Sequence, residues 1–149
     1  MPETTIETLR EYSETDAKQL GRLMTFLSER FSGEPVPREL LEMIINSSFH
    51  DQLVARIDGR IVGAATLSLT MGVAAGRHGY LEDFVTDPSV RGQGTGSRIW
   101  QEIIKWCQDQ GVDLSFTSRA SRPEAHAFYT AKGAHIRDTT VFRVNVPDR

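Results

Sequence analysis

The chain has 149 residues, 39% of them hydrophobic and 25% charged, values ordinary for a globular protein. The length suits one domain, and the composition excludes collagen-like, disordered and disulfide-scaffold proteins. The single cysteine cannot form an internal disulfide, which favours a reducing compartment. The formal net charge of −3 argues against a general nucleic-acid binder.

Charge is divided unevenly along the chain. Residues 1–58 carry 11 acidic and 6 basic side chains, whereas residues 59–149 carry 9 acidic and 11 basic ones. This division allows an anionic ligand on the C-terminal part and a cationic one near the N-terminal part, although scatter over a solvated surface is the simpler explanation. No apolar run approaches the ~18 residues of a membrane span, and the first residues lack signal-peptide character. We therefore expect a cytoplasmic protein without a membrane partner.

The first third of the chain predicts one strand and two helices. Alternating residues predict a strand over 6–12, and Ser13-Glu-Thr-Asp16 has the form of a capping box. Apolar residues at helical spacing extend from there to Phe31. A Gly- and Pro-containing break follows, and Pro37 suits the first turn of a second helix.

The rest of the chain predicts a sheet with two further helices. The expected elements are strands over 50–58 and 60–71 joined at Asp58-Gly59, a flexible connection over 72–79, a strand over 80–87, a helix with Ile99, Trp100, Ile103, Ile104 and Cys107 on one face and Gly111 as its C-cap, a strand over 112–118, a helix over 123–132, and one or two closing strands over 134–146. The order β-α-α-β-β-β-α-β-α-β predicts one α/β (α+β, mixed-sheet) domain over residues 1–149.

The strongest chemical signal is a glycine turn between the strand at 80–87 and the next helix. Its sequence is Arg91-Gly92-Gln93-Gly94-Thr95-Gly96. A helix N-terminus offers backbone N–H groups and a positive dipole end, and glycines let the backbone approach a phosphate. Arg91, with Arg98 as a second candidate, could add charge-assisted hydrogen bonds. The Walker A lysine is missing and Ser97 replaces the last glycine of a dinucleotide fingerprint, so neither of those loops fits; a glycine-rich connection without a ligand is the structural alternative.

Two motifs resemble those of the GNAT superfamily of N-acetyltransferases. The glycine turn is similar to the family's Q/R-x-x-G-x-G/A motif, and residues 125–133, with Tyr129 and Gly133, are similar to its A-x-x-x-Y-x-x-x-G segment. The element order agrees along nearly the whole chain. The resemblance implies a GNAT-like fold and acetyl-CoA as the acyl-donor cosubstrate. No metal is expected, because the four histidines and Cys107 lack metal-ligand spacing.

The resemblance also implies a set of cofactor-binding residues. Backbone N–H groups of the turn would bind the pyrophosphate. The preceding strand would carry the pantetheine arm, in a gap between it and the strand at 112–118. An N–H of the same strand would polarise the thioester carbonyl. These residues are Phe84, Val85, Thr86, Arg91, Gly92, Gln93, Gly94, Thr95, Gly96 and Ser97. Arg122 stands where the family often has Asn, and it could reach the cofactor's phosphates or a substrate anion.

Three residues are candidates for proton transfer. Tyr129 corresponds to the family tyrosine near the departing sulfur, so it is the expected proton donor; simple packing is the alternative. Glu82 and Asp83 are the candidate bases, because an amine with a lysine-like pKa of about 10.4 arrives protonated. As neighbours on a strand they are expected on opposite faces, with only one at the acceptor. Glu82 is the first choice, directly or through water; the alternative is a charge pair that only orients the ammonium.

The sequence thus predicts an N-acetyltransferase that moves the acetyl group from acetyl-CoA directly to a primary amine. A small-molecule acceptor is expected, with residues 31–37 and 72–79 as the variable regions that would select it and His78 as the histidine to test. A homodimer is expected if a second subunit completes the acceptor pocket. The alternative function is a non-catalytic acyl-CoA-binding regulatory domain.

Overall fold

The structure, a computed structural model, describes residues 2–119 and 121–147. The chain forms two compact units, Met1–Phe116 and Thr117–Arg149. The described part of the first unit contains β1 (Thr4–Thr8), α1 (Glu14–Met24), α2 (Arg38–Asn46), β2 (His50–Ile57), β3 (Arg60–Gly72), β4 (Gly76–Thr86), a 3-10 turn (Pro88–Val90), α3 (Thr95–Gln110) and β5 (Leu114–Ser115). The described part of the second contains α4 (Pro123–Ala131).

The five strands form one mixed sheet in the order β1-β2-β3-β4-β5. Neighbours are antiparallel except for the parallel pair β4 and β5. The predicted mixed α/β fold class is confirmed. Within the described ranges, no helix is both long enough and apolar enough to pass through a lipid bilayer.

The core is built around β3, whose residues 61–68 are buried without interruption. A strand buried along its whole length needs cover on both faces of the sheet. Leu20 and Leu23 of α1 share one buried cluster with Val54. Close packing of α3 depends on Gly63, where a Cβ atom would lie 2.6 Å from Ile99 Cδ1.

The start of α1 confirms half of the predicted capping box. The Ser13 hydroxyl accepts a hydrogen bond from the Asp16 N–H at 3.0 Å. The Asp16 carboxylate does not complete the box; it accepts two hydrogen bonds from the Arg56 guanidinium, at 2.9 and 3.0 Å. Because Arg56 also donates to Glu7 at 2.7 Å, this cluster fastens α1 to β1 and β2.

Two predicted boundaries in the N-terminal region are wrong. The strand expected over 6–12 occupies Thr4–Thr8, because β1 pairs with β2 as far as Ile57, at the hairpin turn. Helix α1 ends at Met24 instead of reaching Phe31. The Thr25 hydroxyl donates to the Arg22 carbonyl at 2.6 Å, a local bond of the kind that competes with helical hydrogen bonding.

The flexible connection predicted over 72–79 is wrong, because β3 and β4 continue through it. Gly72 pairs with Gly76, which leaves only a short turn between the strands. Gly79 lies inside β4, and a Cβ atom there would come within 2.9 Å of the Trp106 ring. His78 stands opposite Thr70, whose hydroxyl is hydrogen-bonded to its Nε2 atom. These residues support strand packing rather than chain flexibility.

The last predicted strands differ most from the structure. The strand expected over 112–118 is reduced to Leu114–Ser115. The described residues 134–147 contain no strand, and all but the half-buried Ala134 are exposed. Alternating apolar residues in this segment fit a strand, but a strand also needs a paired neighbour to satisfy its backbone groups. Ile104, expected on the buried face of α3, is 36% exposed.

Substitution of Gly21 tests how closely α1 and the segment after it are packed. A Cβ atom at this position would lie 1.9 Å from the Glu34 carbonyl oxygen, and the Val36 N–H donates to the Ala17 carbonyl at 3.0 Å. Gly→Ala in an open helix stabilises by about 1 kcal/mol. Here we expect Gly21→Ala to destabilise by about 1–3 kcal/mol in urea unfolding, since the backbone must move.

Lys18→Ala, at an exposed position of the same helix, is the matched control and should be nearly neutral. A Gly21→Ala chain more stable than the unsubstituted one would contradict this packing.

Candidate functional site

The strand β4 carries a bulge at its two acidic residues. Ala64 pairs with Val85 and Thr66 with Glu82, so Asp83 and Phe84 together stand opposite the single residue Ala65. Asp83 has a positive φ of 52°, a conformation that Asp tolerates better than most residues. The alternation of a regular strand breaks here, and both Glu82 and Asp83 are exposed. The expectation that they point to opposite faces does not apply to this bulge.

The pairing of β4 with β5 ends before the bulge, and β4 continues past that point. The parallel ladder covers only Gly79 and Tyr80, paired with Leu114 and Ser115. The strand then continues from Leu81 to Thr86. Phe84, Val85 and Thr86 all lie in this stretch, where the edge of a sheet can accept an extended ligand as an added strand.

The glycine turn follows the 3-10 turn at Pro88–Val90 and has the backbone that its sequence predicts. Gly92 and Gly94 adopt positive φ angles of 81° and 79°. Residues 91–94 are exposed, and a Cβ atom at either glycine would meet nothing within 4 Å. The turn therefore presents open backbone at the point where the chain enters α3.

The N-terminus of α3 is suited to an anion. Gly94 is its N-cap and supplies no side-chain cap, and the first turn contains no acidic residue. The first N–H groups of a helix lack intrahelical acceptors and lie at the positive end of its dipole. Thr95 is only 3% exposed, and its hydroxyl has no hydrogen-bond partner among the described residues. Together with the open glycines, this unsatisfied hydroxyl fits a turn built to hold a phosphate group.

The two candidate arginines, Arg91 and Arg98, are both exposed, but in the described structure Arg98 is held away from the turn by a hydrogen bond. Arg98 Nη1 donates to the Thr4 carbonyl at 2.6 Å, which ties α3 to β1. Arg91 lies on the exposed part of the turn. The structure therefore leaves Arg91 as the arginine of the turn that could meet an anion.

Aromatic packing fixes α3 against β4. The rings of Phe84 and Trp100 are stacked with centroids 6.3 Å apart. Trp100 also meets Phe116 edge to face at 6.0 Å. Since Trp100 is buried, these contacts hold the start of α3 beside the end of β4 and set the span of the glycine turn.

The electrostatic surroundings of Asp83 differ from those of an ordinary surface acid. Removal of water by the surrounding protein raises the pKa of the Asp83 carboxyl, and the positive charge of Arg30 opposes this shift. Arg30 lies over the Phe31 ring at 4.8 Å, in the segment after α1. A carboxylate with a raised pKa holds a proton more readily than a solvated one.

Arg122 and Tyr129 belong to the second unit. Arg122 is the N-cap residue of α4, with no side-chain capping bond, and its carbonyl accepts from the His126 N–H at 3.2 Å. Tyr129 is half-buried and packs edge to face with Phe128 at 5.7 Å. Burial raises the pKa of Tyr129, and the charge of Arg122 acts in the opposite direction. The phenol is therefore protonated at neutral pH.

Cys107 lies on the buried face of α3, away from the glycine turn. Cys107 is 6% exposed, as the apolar face of α3 predicts, and burial raises the pKa of its thiol. It adjoins a surface cavity of about 380 Å³ at the far end of α3 from the glycine turn. The described residues contain no group of three or more His, Cys, Asp or Glu side chains able to hold a metal ion.

Three residues near the site are absent from the sequence-based set. Asp87 follows β4 and caps the 3-10 turn by accepting from the Ser89 N–H, a role that the Asp-Pro-Ser sequence could have indicated. Arg22, in α1, forms an ion pair with Asp87. Arg30, in the segment after α1, places a positive charge near Asp83. No local pattern marks them, because their partners are distant in sequence.

A titration of Asp83 tests this electrostatic arrangement. We expect the Asp83 carboxyl carbon in NMR to titrate above the ordinary Asp pKa of about 3.9. Arg30→Gln should raise the Asp83 pKa further, because a nearby positive charge favours the ionised form. Arg60→Gln, on the exposed start of β3, is the control and should leave the pKa unchanged. A lower Asp83 pKa in Arg30→Gln would contradict the arrangement.

Comparison with known proteins relates this geometry to a family. A curated relative, aminoglycoside N(6')-acetyltransferase type 1 of Stenotrophomonas maltophilia, is 26% identical over 140 residues, which cover 91% of this chain and 90% of the relative. A transcriptional regulator from Bacillus halodurans C-125 superposes with a TM-score of 0.82 at 23% identity, over 97% of this chain and all of the other.

An aminoglycoside N-acetyltransferase, AAC(6')-Iy, solved in complex with CoA, superposes with a TM-score of 0.78 at 17% identity, over 97% and 96% of the two chains. At these identities the structural likenesses show a common fold. The model of the acetyltransferase (GNAT) family matches residues 20–134. The chain therefore belongs to the GNAT family of acetyltransferases, as its two motifs predict.

Proposed function

We propose that this acetyltransferase transfers the acetyl group of acetyl-CoA directly to a primary amine of a small molecule. The observation that carries the proposal is the open glycine turn, which joins the bulged end of β4 to the uncapped start of α3. We also propose that both units belong to one N-acetyltransferase domain over residues 1–149. A cytoplasmic location and a homodimer stay predictions.

The described residues fit acetyl-CoA on both sides of the turn. The backbone N–H groups of residues 92–97 would bind the pyrophosphate, with Arg91 as an added charge. Phe84, Val85 and Thr86 would hold the pantetheine arm along the strand edge. When bound, the cosubstrate supplies a thioester that an amine can attack. A β4 N–H near the bulge would polarise its carbonyl, and Arg122 would reach the cofactor's phosphates or a substrate anion.

The acidic residues at the bulge are suited to removing the proton of the acceptor's ammonium. Glu82 is the first candidate base, acting directly or through water, and Asp83 is the second. The raised pKa of Asp83 moves that carboxylate toward the operating pH, which improves a general base. The bulge leaves both side chains exposed, so the pair could also attract and orient the ammonium.

Tyr129 is the proposed proton donor to the departing thiolate. A general acid must be protonated before it acts, and the raised pKa of Tyr129 keeps the phenol protonated throughout the neutral range. Packing against Phe128 fixes the orientation of the ring within α4.

Aminoglycosides are the first acceptors to test. Two of the similar proteins are named as aminoglycoside acetyltransferases. These polycations also match the net charge of −5 carried by residues 1–58, which include the segment between α1 and α2. Amino sugars, polyamines and amino acids are the other amine classes to include.

A screen of thiol release from acetyl-CoA with these amines tests the function. We expect release that depends on one amine class, together with an acetylated product seen by mass spectrometry. Coenzyme A binding without release for any amine would instead support the non-catalytic acyl-CoA-binding regulatory domain. That alternative has one observation in its favour, the likeness to a structure named as a transcriptional regulator.

A pair of substitutions at Gly94 tests the turn as the pyrophosphate site. Asp and Asn are close in size, and both tolerate the left-handed conformation that Gly94 adopts. Gly94→Asp should weaken coenzyme A binding in calorimetry by at least about tenfold more than Gly94→Asn, because only Asp adds a negative charge beside the phosphates. Equal affinities for the two variants would contradict the assignment.

Replacement of Tyr129 by Phe tests the proton donor. Tyr129→Phe should lower kcat by about 100-fold or more and leave coenzyme A affinity within about twofold, because the ring stays and only the proton is lost. In the unsubstituted enzyme, the loss of kcat assigned to Tyr129 should begin above pH 10, since the phenol pKa is raised from its usual value of about 10. Tyr12→Phe is the control; a fully active Tyr129→Phe enzyme would remove Tyr129 from this role.

A further inference from the structure

The end of β4 is fixed by a single buried carboxylate. Asp87 is 2% exposed, although it directly precedes the exposed Pro88 and Ser89 of the 3-10 turn. Its Oδ1 atom accepts from the Ser89 N–H at 2.9 Å, and its Oδ2 atom accepts from Arg22 Nη2 at 2.9 Å. Its backbone N–H donates to the Val62 carbonyl at 2.8 Å, and its carbonyl accepts from the Val90 N–H at 3.0 Å. Asp87 is thus bonded to β3, to α1 and to the 3-10 turn that leads into the glycine turn.

The carboxylate is ionised at neutral pH. Burial acts to raise the pKa of Asp87, but hydrogen bonds from Ser89 and Arg22 outweigh it and lower the pKa below its ordinary value. A buried anion of this kind depends on its partners, and removal of one leaves the charge undercompensated. Arg22 is therefore the partner from another element that holds the Asp87 side chain in position.

Between Asp87 and the start of α3, the chain is held by few other contacts among the described residues. Val90 is 7% exposed, and backbone bonds join the Arg91 N–H to the Pro88 carbonyl at 3.1 Å and the Gln93 N–H to the Val90 carbonyl at 3.2 Å. Both bonds are local, so they shape the turn without locating it on the sheet. Asp87 supplies that location at the β4 end.

Arg22 links Asp87 to helix α1. It lies in the last turn of α1, where a cation is favourable to the helix dipole. Its side chain is half-exposed, and its guanidinium lies over the Phe26 ring at 5.4 Å. The residue is therefore anchored by Phe26 on one side and holds Asp87 on the other.

We propose that Arg22 and Asp87 are positioning residues that hold the glycine turn in the geometry needed to bind the acyl donor. The inference rests on the proposed function, because it assigns the turn to the donor's pyrophosphate. Neither side chain is required to touch the donor. Arg22 orients Asp87, and Asp87 fixes through Ser89 the 3-10 turn from which the glycine turn continues.

The substitution Arg22→Gln tests the pair without removing the buried Asp87. We expect coenzyme A to bind on the order of tenfold more weakly in calorimetry, since small misplacements of a binding group are costly. Arg22→Lys should recover part of this loss, because it restores the positive charge. In NMR of the ligand-free protein, Arg22→Gln should shift the backbone amide signals of Gly92 and Gly94.

Arg56→Gln is the matched control, because Arg56 also pairs α1 with the sheet, through Asp16, but does not bond to the turn. It should lower the thermal midpoint by at least as much as Arg22→Gln and leave both the coenzyme A affinity and the two glycine signals unchanged. Measurements are made well below both midpoints, so that a general loss of stability does not contribute.

Unchanged glycine signals or unchanged affinity in Arg22→Gln would overturn the inference, as would equal effects from Arg56→Gln. Failure of the unsubstituted protein to bind coenzyme A would contradict the proposed function instead. In that case the glycine signals still decide whether Arg22 positions the turn.

Discussion

The proposed site depends on one constraint, the irregular pairing of β4 after Tyr80. Pairing with β5 ends there, and three residues later the bulge breaks the regular pairing with β3. The bulge places two acidic residues at the surface. The stretch beyond it leads through Asp87 and the 3-10 turn to the glycine turn. The strand edge proposed for the pantetheine arm, the acidic pair and the turn proposed for the pyrophosphate therefore follow one another along the chain. Without the bulge, a regular strand would send Glu82 and Asp83 to opposite faces.

Helix α3 packs beside this strand end and supplies the second half of the proposed binding site. Gly63 allows Ile99 to pack closely on β3, and Trp100 packs on Phe84 of β4. These contacts place the helix N-terminus, with its N–H groups and no acidic side chain, directly after the turn. The anion affinity that we propose comes from backbone geometry, which explains how a chain with a net charge of −3 can bind a phosphate-bearing cosubstrate.

The sequence predicted those features that have a local chemical cause. Gly92 and Gly94 were identifiable because only glycine adopts their backbone freely, and Gly111 ends α3 with a left-handed φ of 67° for the same reason. The Ser13 cap also depends on residues three apart. By contrast, the bulge at Asp83 depends on register with β3, and the pair of Arg22 with Asp87 joins residues 65 apart. Gly79 looked like a loop residue because its packing partner, Trp106, lies on another element.

The most direct test of this account is a crystal structure of the protein with coenzyme A. We predict that the pyrophosphate oxygens accept hydrogen bonds from backbone N–H groups of residues 92–97 and that the pantetheine arm lies along Phe84–Thr86. A complex in which the pyrophosphate lies away from the glycine turn, or in which the arm does not follow β4, would contradict it.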